Sequence, residues 1–85
     1  MKKSVLVFTI DPCPYCRMVK SLLAKRGIEF EEIDLSDDPG ARYELVDQTG
    51  MMTFPQVIID EELLGGYDEV RAADQSGRLL ELVAA

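Results

Sequence analysis

An unbroken apolar run of strand length, Ser4-Val5-Leu6-Val7-Phe8-Thr9, ends abruptly at Asp11-Pro12-Cys13-Pro14. A strand without polar alternation needs cover on both faces, which places it at the centre of a sheet. Pro14 suits the first turn of a helix, where a missing N–H costs nothing. Helical spacing continues to Arg26, and Gly27 stops it. A chain of 85 residues supports one modest core, so a single domain over residues 1–85 is expected.

The rest of the chain divides just as clearly. Ile28–Leu35 alternates and then slips phase, as a second strand with an ill-marked end. Asp38-Pro39 caps and opens a helix that runs to Thr49, with Gly50 ending it. Pro55–Asp60 reads as a third strand, and Asp60-Glu61-Glu62 turns the chain into a short fourth strand, Leu63–Leu64. Gly65-Gly66 leads into a helix from Tyr67 to Ser76, stopped by Gly77, and residues 78–84 add a last short helix. The expected order is β-α-β-α-β-β-α.

Charge and composition exclude several classes of function. A net charge of −7 opposes binding to nucleic acid phosphates and suits a soluble monomer. The charge is polarised: residues 1–28 carry six Lys/Arg against Asp11 alone, while residues 29–85 carry three Lys/Arg against fifteen acids. Met1-Lys2-Lys3 resembles the start of a signal peptide, but the apolar stretch Val5–Phe8 is too short for one. No segment approaches the roughly 18 apolar residues of a membrane span, so cytoplasmic residence is expected. With two cysteines and no histidine, one chain cannot close a zinc site. A His-based hydrolase is also excluded. Dithiol redox chemistry remains.

Cys13-Pro14-Tyr15-Cys16, lying between a strand and a helix, is the placement in which Cys-x-x-Cys reads as a redox pair rather than two unrelated buried thiols. Along the helix Cys13, Arg17, Lys20 and Ala24 share one face, while Cys16, Val19, Leu22 and Leu23 share the apolar one. Cys13 is therefore expected exposed, beside basic side chains, as the nucleophile. Cys16 is expected partly buried, as the resolving thiol. The helix start and Arg17 favour a Cys13 thiolate. The fall in pKa raises the thiolate fraction and lowers its nucleophilicity by similar factors, so the net gain is a better leaving group. Two further signals stand downstream. Thr53-Phe54-Pro55 enters the third strand, either as a plain loop proline or as a cis bond that presents the Phe54 backbone to an extended substrate. Gly65-Gly66-Tyr67-Asp68 opens a helix where backbone N–H groups can meet a carboxylate, and where Asp68 either caps the helix or meets a substrate ammonium.

Together the three motifs resemble the glutaredoxin family, with Cys-Pro-Tyr-Cys as active site, Thr-Phe-Pro as cis-proline loop and Gly-Gly-Tyr-Asp as glutathione-binding turn. The resemblance covers nearly the whole chain. It implies an α/β thioredoxin fold, a four-stranded mixed sheet of order 4-3-1-2 flanked by helices. It implies glutathione as reducing co-substrate, with no bound cofactor and no metal. Tyr15, Arg42, Thr53, Phe54, Pro55, Gly66, Tyr67 and Asp68 would hold it. The implied substrates are glutathionylated or disulfide-containing proteins. Two departures stand out: Ile10 where the family commonly carries lysine, and Met52, after Met51, where it often carries arginine. Both remove positive charge that would meet glutathione's glycine carboxylate. They keep open a redoxin recharged by a thioredoxin-reductase-like flavoenzyme and serving, for example, ribonucleotide reductase. A third reading is an iron–sulfur carrier, with two chains sharing a cluster through Cys13 and two glutathiones; Pro14 counts against it.

Overall fold

The structure, a computed structural model, describes residues 3–84. Its elements follow the order β1 (Val5–Thr9), α1 (Pro14–Lys25), β2 (Glu31–Asp34), α2 (Pro39–Thr49), β3 (Gln56–Ile59), β4 (Glu62–Gly65), α3 (Tyr67–Gln75) and α4 (Arg78–Val83). The strands form one mixed sheet of order β2-β1-β3-β4, the expected arrangement counted from the other edge. β1 runs parallel to β2 and antiparallel to β3, with Val7 opposite Glu32 on one side and Val57 on the other. β3 and β4 form a hairpin whose register shifts between Val57 and Ile58.

The helix signals act as read. Asp38 caps α2 by accepting the Ala41 N–H, and Gly50 ends it in the left-handed region at φ 73°, a conformation that an L side chain enters only at a cost. Most strand limits shift. β2 begins at Glu31 rather than Ile28, because the Ile28 N–H closes the end of α1 on the Leu23 carbonyl at 2.9 Å. Residues 28–30 thus belong to the connection, although Ile28 itself is buried in the core. β3 loses Pro55, which has no N–H to pair, and Asp60, which enters the turn. β4 gains a residue at each end.

The expectation that β1 is covered on both faces holds only in part. Val5, Val7 and Thr9 are buried, but Leu6 and Phe8 between them are half-buried. One face meets the core of Val19 and Leu23 from α1, Val70 and Ala73 from α3, and Leu79 and Val83 from α4. α2 buries Leu45 alone and stands outside that cluster. Its sequence has too few apolar residues to form a second layer of equal depth.

The β3–β4 turn holds Asp60 at φ 51° and Glu61 at φ 74°. Two positive φ values match the twist of a tight hairpin, but glycine or asparagine normally takes such positions. The left-handed region costs an L residue about 1–2 kcal/mol, offset in part by the greater unfolded-state freedom of glycine. Glu61→Gly is expected to stabilise the chain by about 0.5–1 kcal/mol, read as a higher urea midpoint at unchanged slope. An unchanged or lower midpoint would show that Glu61 holds the turn through its side chain.

Candidate active site

Cys13 ends the loop after β1 and is the N-cap of α1. Its Sγ accepts the Cys16 backbone N–H at 3.1 Å, and its carbonyl accepts the Arg17 N–H at 3.2 Å. The sulfur thus sits where α1 presents unpaired N–H groups and the positive end of its dipole. Cys13 and Cys16 are joined as a disulfide, with Cα atoms 5.2 Å apart. Cys16 is 2% exposed, as its place on the apolar face predicts, but Cys13 is only 8% exposed. That corrects the expectation of an exposed Cys13. Its sulfur is turned toward Cys16 and lies 3.7 Å from the Phe54 carbonyl oxygen, so the Phe54-Pro55 segment covers it.

The Phe54–Pro55 bond is cis, the backbone geometry that one of the two sequence readings requires, and Asp11–Pro12 is cis as well. Beside the disulfide a groove of about 460 Å³ is lined by Tyr15, Thr53, Phe54, Pro55, Gly66, Tyr67 and Asp68, joined by Met51 and Glu69. The rings of Tyr15 and Tyr67 stand 5.8 Å apart, tilted by 33°. A larger cavity of about 770 Å³ opens at the other end of β1, between residues such as Val5, Gly27, Phe30 and Val83. It is remote in the fold from the sulfurs, which follow the C-terminal end of that strand.

Two residues of the groove's support, Gln56 and Glu69, were not singled out from the sequence. Gln56 is fully buried. Its Nε2 donates to the carbonyls of Met51 at 2.7 Å and Thr53 at 3.2 Å, and its Oε1 accepts the Thr49 hydroxyl at 2.9 Å. The loop before Pro55 is thereby tied to α2. Glu69 accepts the Gly66 N–H at 2.7 Å and so fixes the start of α3; its position three residues after the cap is the available signal. Asp68, expected as a possible cap, leaves that role to Glu69. Gly65, at φ 133°, has no room for a Cβ, which would lie 2.6 Å from the Glu69 side chain. Met51, not Met52, lines the groove: Met52 is 81% exposed outside it, and Ile10 is half-buried elsewhere.

The expected basic flank of Cys13 is thinner than its helical spacing suggests. Lys20 is paired with Glu32 at 3.0 Å, and Glu32 also accepts the Thr9 hydroxyl at 2.8 Å. These two donors, Thr9 first, hold the Glu32 carboxyl below the usual carboxylate range. Arg26 pairs with Asp74 and ties α1 to α3. Arg17 is exposed one turn beyond Cys13. Arg42 lies in the first turn of α2, half-buried and outside the groove lining. Its Nη2 donates to the Ser36 carbonyl at 3.4 Å, while its Nε is enclosed without a hydrogen-bond partner among the described residues.

A paired dithiol on a helix N-terminus, beside a cis-proline loop and a glycine turn, has close counterparts. The glutaredoxin family model matches residues 5–64. Glutaredoxin 3 of Escherichia coli (strain K12) is 36% identical over 76 residues, spanning 89% of this chain and 92% of that protein. This chain belongs to the glutaredoxin family. Its redox pair is of the dithiol type, and its activity is thiol–disulfide oxidoreduction. The glutaredoxin of Pseudomonas aeruginosa is 38% identical over 81 residues, covering 95% of this chain and 96% of the relative. Among solved structures, the glutaredoxin of Brucella melitensis superposes with a TM-score of 0.88 at 40% identity, over 98% of this chain and 90% of that one. A buckwheat glutaredoxin–glutathione complex superposes with a TM-score of 0.88 at 31% identity, over 95% of this chain and 76% of that one.

Gln56→Leu tests how far the groove depends on its buried support. The variant removes the side-chain donor of the Met51 and Thr53 carbonyls, while the Thr49 hydroxyl keeps the Leu45 carbonyl; an unsatisfied buried group costs about 1–3 kcal/mol. A loss of at least about 2 kcal/mol in urea denaturation is expected, with a raised KM for disulfide substrates. An unchanged KM in a destabilised but folded variant would show that the loop keeps its shape without the glutamine.

Proposed function

We propose that the chain is a glutathione-dependent disulfide reductase in which Cys13 attacks and Cys16 resolves. The Cys13 thiolate attacks one sulfur of a glutathione mixed disulfide or a protein disulfide. The substrate S–S bond breaks, one substrate sulfur leaves as a thiolate that takes a proton from water, and the other stays bonded to Cys13. Cys16 loses its proton and attacks the Cys13 sulfur, releasing the second substrate thiol and closing the Cys13–Cys16 disulfide. Two glutathione molecules then return both electrons, becoming glutathione disulfide and restoring the two thiols. For a glutathionylated substrate, glutathione itself can also resolve the Cys13 mixed disulfide.

The observation that carries this reading is the Cys16 N–H aimed at the Cys13 sulfur at 3.1 Å, at the start of α1. A sulfur so placed is stabilised as an anion and leaves readily. Among the described residues no N–H donates to the Cys16 sulfur, and Cys16 is the more deeply buried of the two, which supports its resolving role. Arg17 adds positive charge at one turn's distance. For glutathione, the buckwheat complex supports the groove of Tyr15, Thr53, Phe54, Pro55, Gly66, Tyr67 and Asp68 as its seat. The Phe54 backbone would pair with the tripeptide and Asp68 would meet its ammonium. Arg42, with an unpartnered Nε, is the residue we assign to the glycine carboxylate. A reducing cytoplasm and a monomeric state complete the proposal. Among the described residues, no helix is long and apolar enough to cross a membrane.

The decisive assay couples NADPH oxidation to glutathione and glutathione reductase, run beside thioredoxin reductase. Cys13→Ser is expected to lose all activity. Cys16→Ser is expected to keep turnover of a glutathionylated peptide and to lose most of its activity on protein disulfides. An active Cys13→Ser with a dead Cys16→Ser would reverse the roles. Turnover with thioredoxin reductase alone would replace glutathione as the electron donor. The Cys13 thiol is also expected to titrate well below the ordinary cysteine value of about 8.5. Alkylation rate against pH in Cys16→Ser reads this directly: the thiolate should persist as pH falls through neutrality. A midpoint at the ordinary value would mean that the helix start and Arg17 are insufficient.

A further inference from the structure

The lining of the groove beside the disulfide carries one sign of charge, with the cations Arg17 and Arg42 outside it. Among the described residues that line it, the charged ones are Asp68 and Glu69. The remaining wall is aromatic, thioether and backbone surface, with the Tyr15 and Tyr67 rings 5.8 Å apart. Two carboxylates beside aromatic faces are a setting that holds a guanidinium or an ammonium, by charge-assisted hydrogen bonds and by attraction to the ring face. The long-range field has the same sign, since residues 29–85 hold fifteen of the sixteen acids in a chain of net charge −7. Such a field steers cationic partners toward the surface and repels anionic ones.

We propose that this groove selects protein disulfides whose reacting cysteine is flanked by Lys or Arg, and disfavours those with acidic flanks. The inference rests on the groove being the substrate seat, as set out under the proposed function. A basic side chain takes the place that glutathione's ammonium takes, so the two compete for Asp68 and Glu69. The aliphatic stem of the Lys or Arg lies against Tyr67 and Met51, while its charged end reaches the carboxylates. The redox step itself is unchanged: one substrate S–S bond breaks, the Cys13–Cys16 bond forms, and two substrate thiols are released.

The test uses the full chain, reduced beforehand and freed of reductant, so that no glutathione occupies the groove. Its single-turnover rate constants are measured with three disulfide-linked peptide dimers of one sequence, with Lys, Gln or Glu flanking the cysteine. At low ionic strength the order Lys, Gln, Glu is expected, with about a 10-fold span between the extremes, the low end of the range that electrostatic steering gives. The span should shrink to below about 2-fold at high salt as screening sets in. Added S-methylglutathione, which carries no disulfide to reduce, should slow the Lys peptide competitively. Asp68→Asn and Glu69→Gln should each narrow the span; the second keeps an oxygen to accept the Gly66 N–H and so preserves the start of α3. Equal rates for the three peptides at low salt overturn this inference and leave the redox reading intact. Failure to reduce any of them overturns the redox reading itself. A span that survives unchanged in both variants places the selectivity elsewhere on the surface and overturns the assignment to the groove.

Discussion

Val7 and Val57 face each other across β1 and β3 without exposed surface, and Val19 and Leu23 of α1 join them in the same core. The chemistry of the chain depends on that contact. It holds the start of α1 at the C-terminal end of the central strand, next to the loop that enters β3. Cys13 is delivered there as the helix cap, and Phe54 is delivered opposite it. Burial of a few valine and leucine side chains, each stabilising by roughly 1.5–3 kcal/mol, thus fixes a sulfur against a backbone carbonyl contributed from forty-one residues away.

The second layer of organisation is polar. The buried Gln56 and the exposed Glu69 and Glu32 each direct a side chain onto neighbouring groups. Gln56 stiffens the loop before the cis-proline, and Glu69 fixes the glycine turn. Glu32 draws Lys20 away from the cysteines and toward β2. Lys20 is thereby taken up by Glu32, which leaves backbone N–H groups and the exposed Arg17 as the positive groups of the proposed Cys13 thiolate. That arrangement is consistent with the departures at Ile10 and Met52, neither of which lines the groove.

Much of this was legible in the linear sequence, for local reasons. A proline after a capping residue and a glycine after a helical repeat announce their own hydrogen-bond consequences, so Pro14, Asp38-Pro39, Gly50 and Gly77 mark helices close to their true limits. The Cys13–Cys16 pair and its redox chemistry are equally local, because the spacing alone puts both thiols on one helix turn. Strand limits were less legible, since pairing decides them. Ile28 looks like strand by alternation, yet its N–H is claimed by the end of α1.

What the sequence determined by itself was therefore the set of elements, the reactive pair and the family to which the motifs point. Only the tertiary structure decided which residues share the groove. Met51 enters and Met52 does not; Glu69 caps where Asp68 seemed placed to; Arg42 stays outside; Cys13 is covered rather than exposed. The physical reason is the same in each case. Neighbours in sequence point in different directions once backbone angles are set, and cover is supplied by segments that meet only when the core has closed.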